Sequence, residues 1–175
     1  MILGKPYFYT ATIRDWHTVI KDNAFEEIII QSLRFLTDKK LIQVYGMVIM
    51  PNHVHLIWEM MALNKKETPI SSFMKFTSHK FLEKLRQKDK NELQSYEVEW
   101  ISRKHNFWQK DSLAIELFTE KVFLQKLNYL HNNPLQEKWK LASVPEAYFY
   151  SSAKFYFTGG KENDFRFIKH YQDRI

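Results

Sequence analysis

Met50-Pro51-Asn52-His53-Val54-His55-Leu56-Ile57 is the stretch on which the reading of this chain turns. Pro51-Asn52 is a turn dipeptide. The apolar run Leu41 to Ile49 lies before it and His53 to Met60 lies after it, so the two segments read as strands paired in a hairpin. Side chains alternate along a strand. His53 and His55 therefore share a face, with Cα atoms roughly 6.5–7 Å apart, while Val54 and Leu56 enter the opposite layer. Two neutral imidazoles at that spacing can grip one divalent ion. They can also be ordinary strand residues satisfied by backbone or water. Two histidines underfill a coordination sphere, so a metal site needs a further ligand from elsewhere in the chain.

Working outward, Tyr7 to Ile13 is rich in aromatic and β-branched residues and reads as a first strand. Asp22 or Asn23 caps a helix reaching about Lys39, whose apolar stripe is Phe25, Ile28, Ile29, Leu33 and Leu36. Thr68-Pro69 opens a second helix, with proline in the first turn, where a missing N–H costs nothing. Arg86 to Glu92 reads as an exposed loop or helix end, and Val98–Ile101 and Asn106–Leu117 as further strands. A third helix spans about Thr119 to Asn132 and stops before Pro134. The order is βαββα, then more strands and a helix. This predicts an α+β fold: a ferredoxin-like antiparallel sheet with helices packed on it. Residues 1–175 form one domain in this reading, with its core at about 5–158 and a short polar tail.

The composition agrees with a packed domain. Of 175 residues, 45% are hydrophobic and 16% aromatic, with four glycines. The absence of cysteine removes disulfides, thiolate zinc sites and cysteine nucleophiles, and implies a reducing compartment. With no apolar run near the roughly 20 residues of a membrane span and no signal segment, a soluble cytoplasmic protein without a membrane partner is expected. The net charge of +6 favours a polyanionic partner.

Leu127-Asn128-Tyr129-Leu130-His131-Asn132-Asn133-Pro134 holds the second group of interest. Tyr129 and Asn133 stand four apart, on one helical face or on the last turn and its exit. Gln125 continues that polar face, and Phe123, Leu127 and Leu130 look to the core. Tyr129 is then either a half-buried tyrosine making one hydrogen bond or a nucleophile, whose phenol needs a nearby cation to become reactive.

Taken together, these segments resemble a known family. Gly46 to Leu56, containing His53-Val54-His55, is similar to the histidine–hydrophobe–histidine (HUH) signature of single-tyrosine transposases. Tyr129-Leu130-His131-Asn132-Asn133-Pro134 resembles their tyrosine motif. Phe107-Trp108-Gln109 and Tyr150-Ser151-Ser152-Ala153 fall where that family has a Trp-Gln and a Trp/Tyr-Ser-Ser element. The likeness covers about residues 5 to 158 and is nearest to the REP-associated tyrosine transposase branch. It departs after Pro134, where Leu135 to Lys140 replaces the family's frequent Val-Arg-Ala-Gly.

The resemblance implies an HUH endonuclease fold, with His53, His55 and Asn133 as ligands to Mg²⁺ or Mn²⁺ and Tyr129 as nucleophile. The implied reaction cleaves and rejoins hairpin-associated single-stranded DNA through a 5′-phosphotyrosine. Lys75, Lys80, Lys84, Arg86, Arg103 and Lys104 are candidate phosphate contacts, or simply a solvated basic face. Phe107, Trp108 and Tyr96 are candidate stacking residues or core. Rival readings are a phosphodiesterase using activated water, a hairpin-binding protein that does not cut, and a replication or conjugation nickase. Both a monomer and a homodimer are compatible with the sequence.

Overall fold

The computed structural model describes residues 1–88, 93–94, 96–100, 103–110 and 112–174, with the backbone alone for 97–100 and 103–105. Strand β1 (Pro6–Thr12) leads through a 3-10 turn, Arg14–Trp16, to helix α1 (Asn23–Asp38). Strands β2 (Ile42–Met50) and β3 (His53–Met60) form the expected hairpin, and α2 (Pro69–Lys88) follows. A two-stranded ribbon of β4 (Glu97–Trp100) and β5 (Arg103–His105) stands apart from the main sheet. Then come β6 (Leu113–Glu116), α3 (Glu120–Asn132) and the short α4 (Ala153–Phe157). The helix starts are capped as the sequence requires. Asp22 accepts from the N–H of Ala24, and Thr119 accepts from that of Val122.

The main sheet is antiparallel throughout, in the order β2-β3-β1-β6. This is the ferredoxin-like arrangement, with β6 in the place of the fourth strand. Period-two alternation divides the sheet's side chains between two layers. Tyr7, Tyr9, Ala11, Val54, Leu56 and Trp58 pack in one core with α1 and α2. Phe8 and Ile57 pack in the other, beneath Phe123, Leu127 and Leu130 of α3. His53 and His55 have the parity of Ile57 and so belong to the α3 side.

Strand β2 changes parity midway. A bulge lies between Val44 and Gly46, so Val44 pairs with Trp58 while Gly46 already pairs with Ile57. The extra residue, Tyr45, turns into the α3 layer, where its hydroxyl donates to Glu59 Oε2 at 3.0 Å. At Gly46 the strand carries no side chain under α3. A Cβ there would stand 2.8 Å from Leu127 Cδ1, so the bare backbone lets the helix settle onto the sheet.

Two expectations need adjustment. Of Asn106 to Leu117, expected to supply strands, the described residues place only Leu113–Glu116 in a ladder, with Trp108 in an isolated bridge to Ile13. The last residues are also more than a polar tail. Phe165, Phe167 and Ile168 are buried, Lys169 N–H donates to Val44 O, and Arg174 pairs with buried Glu59 at 3.0 Å. The polar composition after Gly160 conceals three anchors spaced too irregularly to show a period. Truncating one of them should therefore be costly. Phe165→Ala is expected to destabilise the domain by about 3 kcal/mol, lowering the midpoint of thermal unfolding by roughly 6–12 °C.

Candidate active site

His53 and His55 lie side by side, their ring centroids 4.6 Å apart. Each is oriented through Nδ1. Asn52 Oδ1 accepts from His53 Nδ1 at 2.7 Å, and Thr10 Oγ1 lies 2.8 Å from His55 Nδ1. Asn52 is itself held by donation from Nδ2 to Trp16 O, which leaves its oxygen facing the imidazole. Proton donation from Nδ1 leaves the Nε2 lone pair of His53 free to bind an ion, and the Thr10 contact allows the same for His55. Thr10 faces His55 because the two are cross-strand partners in the β1–β3 register.

Helix α3 brings the remaining groups. The Tyr129 ring centroid lies 5.5 Å from that of His55 and 5.9 Å from that of Phe8, which itself stacks on His55. Tyr129 is 46% exposed, so the residue can be reached from solvent. Asn133 occupies the helix C-cap, and its buried Oδ1 faces His53, close enough to favour that ring's charged form but without a hydrogen bond of ordinary geometry. A buried carbonyl oxygen without a donor is costly unless something electropositive meets it. The last turn of α3 is tied to the sheet by His131, whose Nε2 lies 2.8 Å from Ser152 Oγ. Ser152 Oγ in turn accepts from Met47 N–H at 3.0 Å.

Burial keeps the rings neutral. Desolvation pushes His53 down to about 4, against a smaller opposing effect from Asn133. It pushes His55 down to about 3, aided by His53 and Lys126. Lys126 Nζ stands 5.2 Å from the Phe8 ring centroid and 5.9 Å from that of Tyr129, while Lys138 also bears on His53. A neutral imidazole pair, a buried amide oxygen and two nearby lysines have the chemistry to meet a cation together with an anion. Among the described residues no cluster of three or more His, Cys, Asp or Glu could hold a metal.

The four residues His53, His55, Tyr129 and Asn133 are thus brought together from β3 and the end of α3. The basic residues of α2 are not beside them. Phe73, Phe81 and Leu85 of that helix pack in the opposite core, so Lys75, Lys80, Lys84 and Arg86 lie on the far layer. Lys75 is paired with Glu67 there, and Lys80 with Glu83 at 2.8 Å. The side chains of Arg103 and Lys104 lie outside the described residues. Phe107, Trp108 and Tyr96 are core, and Trp108 Nε1 donates to Thr77.

The flanking motifs act as clamps. Arg14 N–H donates to Phe107 O and Gln109 N–H to Thr12 O, while Ile49 N–H donates to Tyr150 O and Ser152 N–H to Met47 O. Sequence reasoning passed over Asn52, Thr10 and Lys126. Asn52 precedes the first histidine and had only a turn role, whereas Thr10 is found only once the β1–β3 register is known.

The sheet order β2-β3-β1-β6, with helices packed on both faces, defines a ferredoxin-like α+β fold. The chain has the fold of a REP-associated tyrosine transposase. A solved structure of such a protein bound to a REP hairpin superposes with a TM-score of 0.63 at 15% identity, covering 93% of this chain and 84% of that one. A candidate transposase from Deinococcus radiodurans R1 gives a TM-score of 0.46 at 16% identity, covering 73% of this chain and 88% of that one. No protein-family model and no curated protein sequence matches the chain.

The buried rings predict a pH dependence. His53, His55 and His131 all have folded-state values well below the ordinary 6.5, His131 at about 4 by burial. Between pH 6.5 and about 4 the unfolded chain binds more protons than the folded one, so stability rises with pH across that window. Metal-free protein should therefore lose unfolding midpoint steadily as pH falls from 6.5 to 4. It should show little change from these groups between pH 7 and 8.

Proposed function

We propose that the chain is a single-tyrosine DNA endonuclease and strand transferase acting on hairpin-associated single-stranded DNA. The observation that carries this is the approach of the Tyr129 ring to 5.5 Å from that of His55, in a group whose further member is the buried Asn133 Oδ1 beside His53. A site for a divalent ion fits the donors present: the Nε2 atoms of His53 and His55 and Asn133 Oδ1. Two imidazoles suit Mn²⁺ better than Mg²⁺. When bound, such an ion supplies Lewis-acid neutralisation of charge on a phosphate and makes a phenol easier to deprotonate.

The chain's own residues do the rest. Asn52 and Thr10 hold the imidazoles in one orientation. The Tyr129 oxygen attacks phosphorus in line and loses its proton. The P–O3′ bond breaks, the departing O3′ takes a proton, and the 5′-phosphate stays on Tyr129. The bond energy is retained in that ester. A second 3′-hydroxyl can therefore reverse the step and join strands without a nucleoside triphosphate. Lys126 and Lys138 sit where they attract the DNA backbone toward the site. The structural neighbour's REP hairpin supports a folded hairpin beside the cleaved strand. No helix among the described residues is long and apolar enough to cross a membrane.

Incubating the chain with Mn²⁺ and hairpin-bearing single strands should give cleaved DNA and a detergent-stable protein–DNA adduct. Tyr129→Phe is expected to abolish both. Cleavage with no adduct, or an adduct that persists in Tyr129→Phe, rules the mechanism out. Freeing the His53 ring is a separate test. Asn52→Ala should weaken Mn²⁺ binding by about 10–100-fold in a calorimetric titration, the usual effect of losing an orienting partner.

A further inference from the structure

Beside His53 the surface carries an aromatic pair that the reaction above does not use. Trp16 is 57% exposed, an unusual setting for the largest apolar side chain. Its backbone is held in an uncommon conformation. Asp15 and Trp16 have φ of 53° and 59°, two consecutive non-glycine residues in the left-handed region. Such strain persists only where surrounding contacts enforce it. Here they do: Arg14 N–H donates to Phe107 O, Trp16 N–H to Ile13 O, and Asn52 Nδ2 to Trp16 O. The turn that presents the Trp16 ring thus also sets the residue orienting His53.

On the other side, the chain after α3 folds back so that the half-buried Trp139 ring lies 6.0 Å from that of His53. Between the two indoles stands Lys138, its Nζ 4.9 Å from the Trp139 centroid and 5.8 Å from that of Trp16.

We infer that Trp16, with Lys138 and Trp139, forms a stacking platform for an unpaired nucleobase of single-stranded DNA, next to the phosphate held at His53. An exposed indole offers a π-face that any base can use, and an ammonium alongside it meets the adjoining phosphate. The proposal rests on the DNA-cleaving reading of the same site and adds the group that seats the neighbouring nucleotide. It also gives the turn's strain a purpose, because a relaxed turn would withdraw the ring.

The test uses the full chain in EDTA, so that binding is read without metal and without cleavage. Probes are a fluorescent DNA hairpin with blunt ends and the same hairpin with a mixed-sequence unpaired flank, compared by anisotropy and by quenching of tryptophan fluorescence. Trp16→Ala should lose about tenfold or more in affinity for the flanked hairpin and little for the blunt one. Trp16→Phe should retain most of the flank's contribution, and Lys138→Ala should reduce the salt dependence by about one phosphate contact. Equal binding of the flanked hairpin by wild type and Trp16→Ala overturns the platform while leaving the Tyr129 adduct to stand or fall separately. A wild-type protein that binds flanked and blunt hairpins alike also overturns it. Failure of wild type to bind either probe overturns the platform and the DNA-cleaving reading together.

Discussion

The closeness of α3 to the sheet governs everything else about the site. Tyr129 and Asn133 ride on the helix while the histidines ride on β3, so their relation is set by how far the helix stands off the strands. Leu127 rests over Gly46, where an added Cβ would stand 2.8 Å from the leucine's terminal Cδ1 and oblige that side chain to shift. One turn further on, His131 and Ser152 bind the helix to Met47. An apolar contact without directionality thus sets the depth, and a directional hydrogen bond sets the rotation.

The same burial that locates the rings decides their chemistry. An imidazole in water titrates near pH 6.5 and spends much of its time as a cation, which no metal can use. Under α3 the charged form is disfavoured and the lone pair stays available. Lys138 beside His53 and Lys126 beside His55 reinforce this by repelling a proton. The orienting groups Asn52 and Thr10 come from the hairpin turn and the adjacent strand, so the rings are held by backbone-anchored neighbours rather than by long mobile side chains.

Much of this was legible in the sequence, for a physical reason. Strand alternation and helical spacing are short-range rules, so the shared face of His53 and His55 and the pairing of Tyr129 with Asn133 follow from counting residues. The hairpin was equally local, since a two-residue turn between apolar runs admits few alternatives. What escaped depended on contacts distant in sequence. The bulge at Tyr45 reverses which residues of β2 face each layer, and no pattern within β2 announces it. Ile168 is recognisable as core only when β2 is seen to accept it. The lysines of α2 looked relevant because the helix is basic, yet the sheet stands between them and Tyr129.

The segments that flank β2 have a further effect. Ser151 bridges to Val48 and Ile168 to Val44, so the outer border of that strand is occupied at both ends. On the opposite border β6 contributes just four residues. An antiparallel sheet with long bare margins recruits strands from neighbouring molecules and grows into aggregates. Here one margin is taken by the chain itself and the other is too short to template much, so neither border invites a strand from a second molecule.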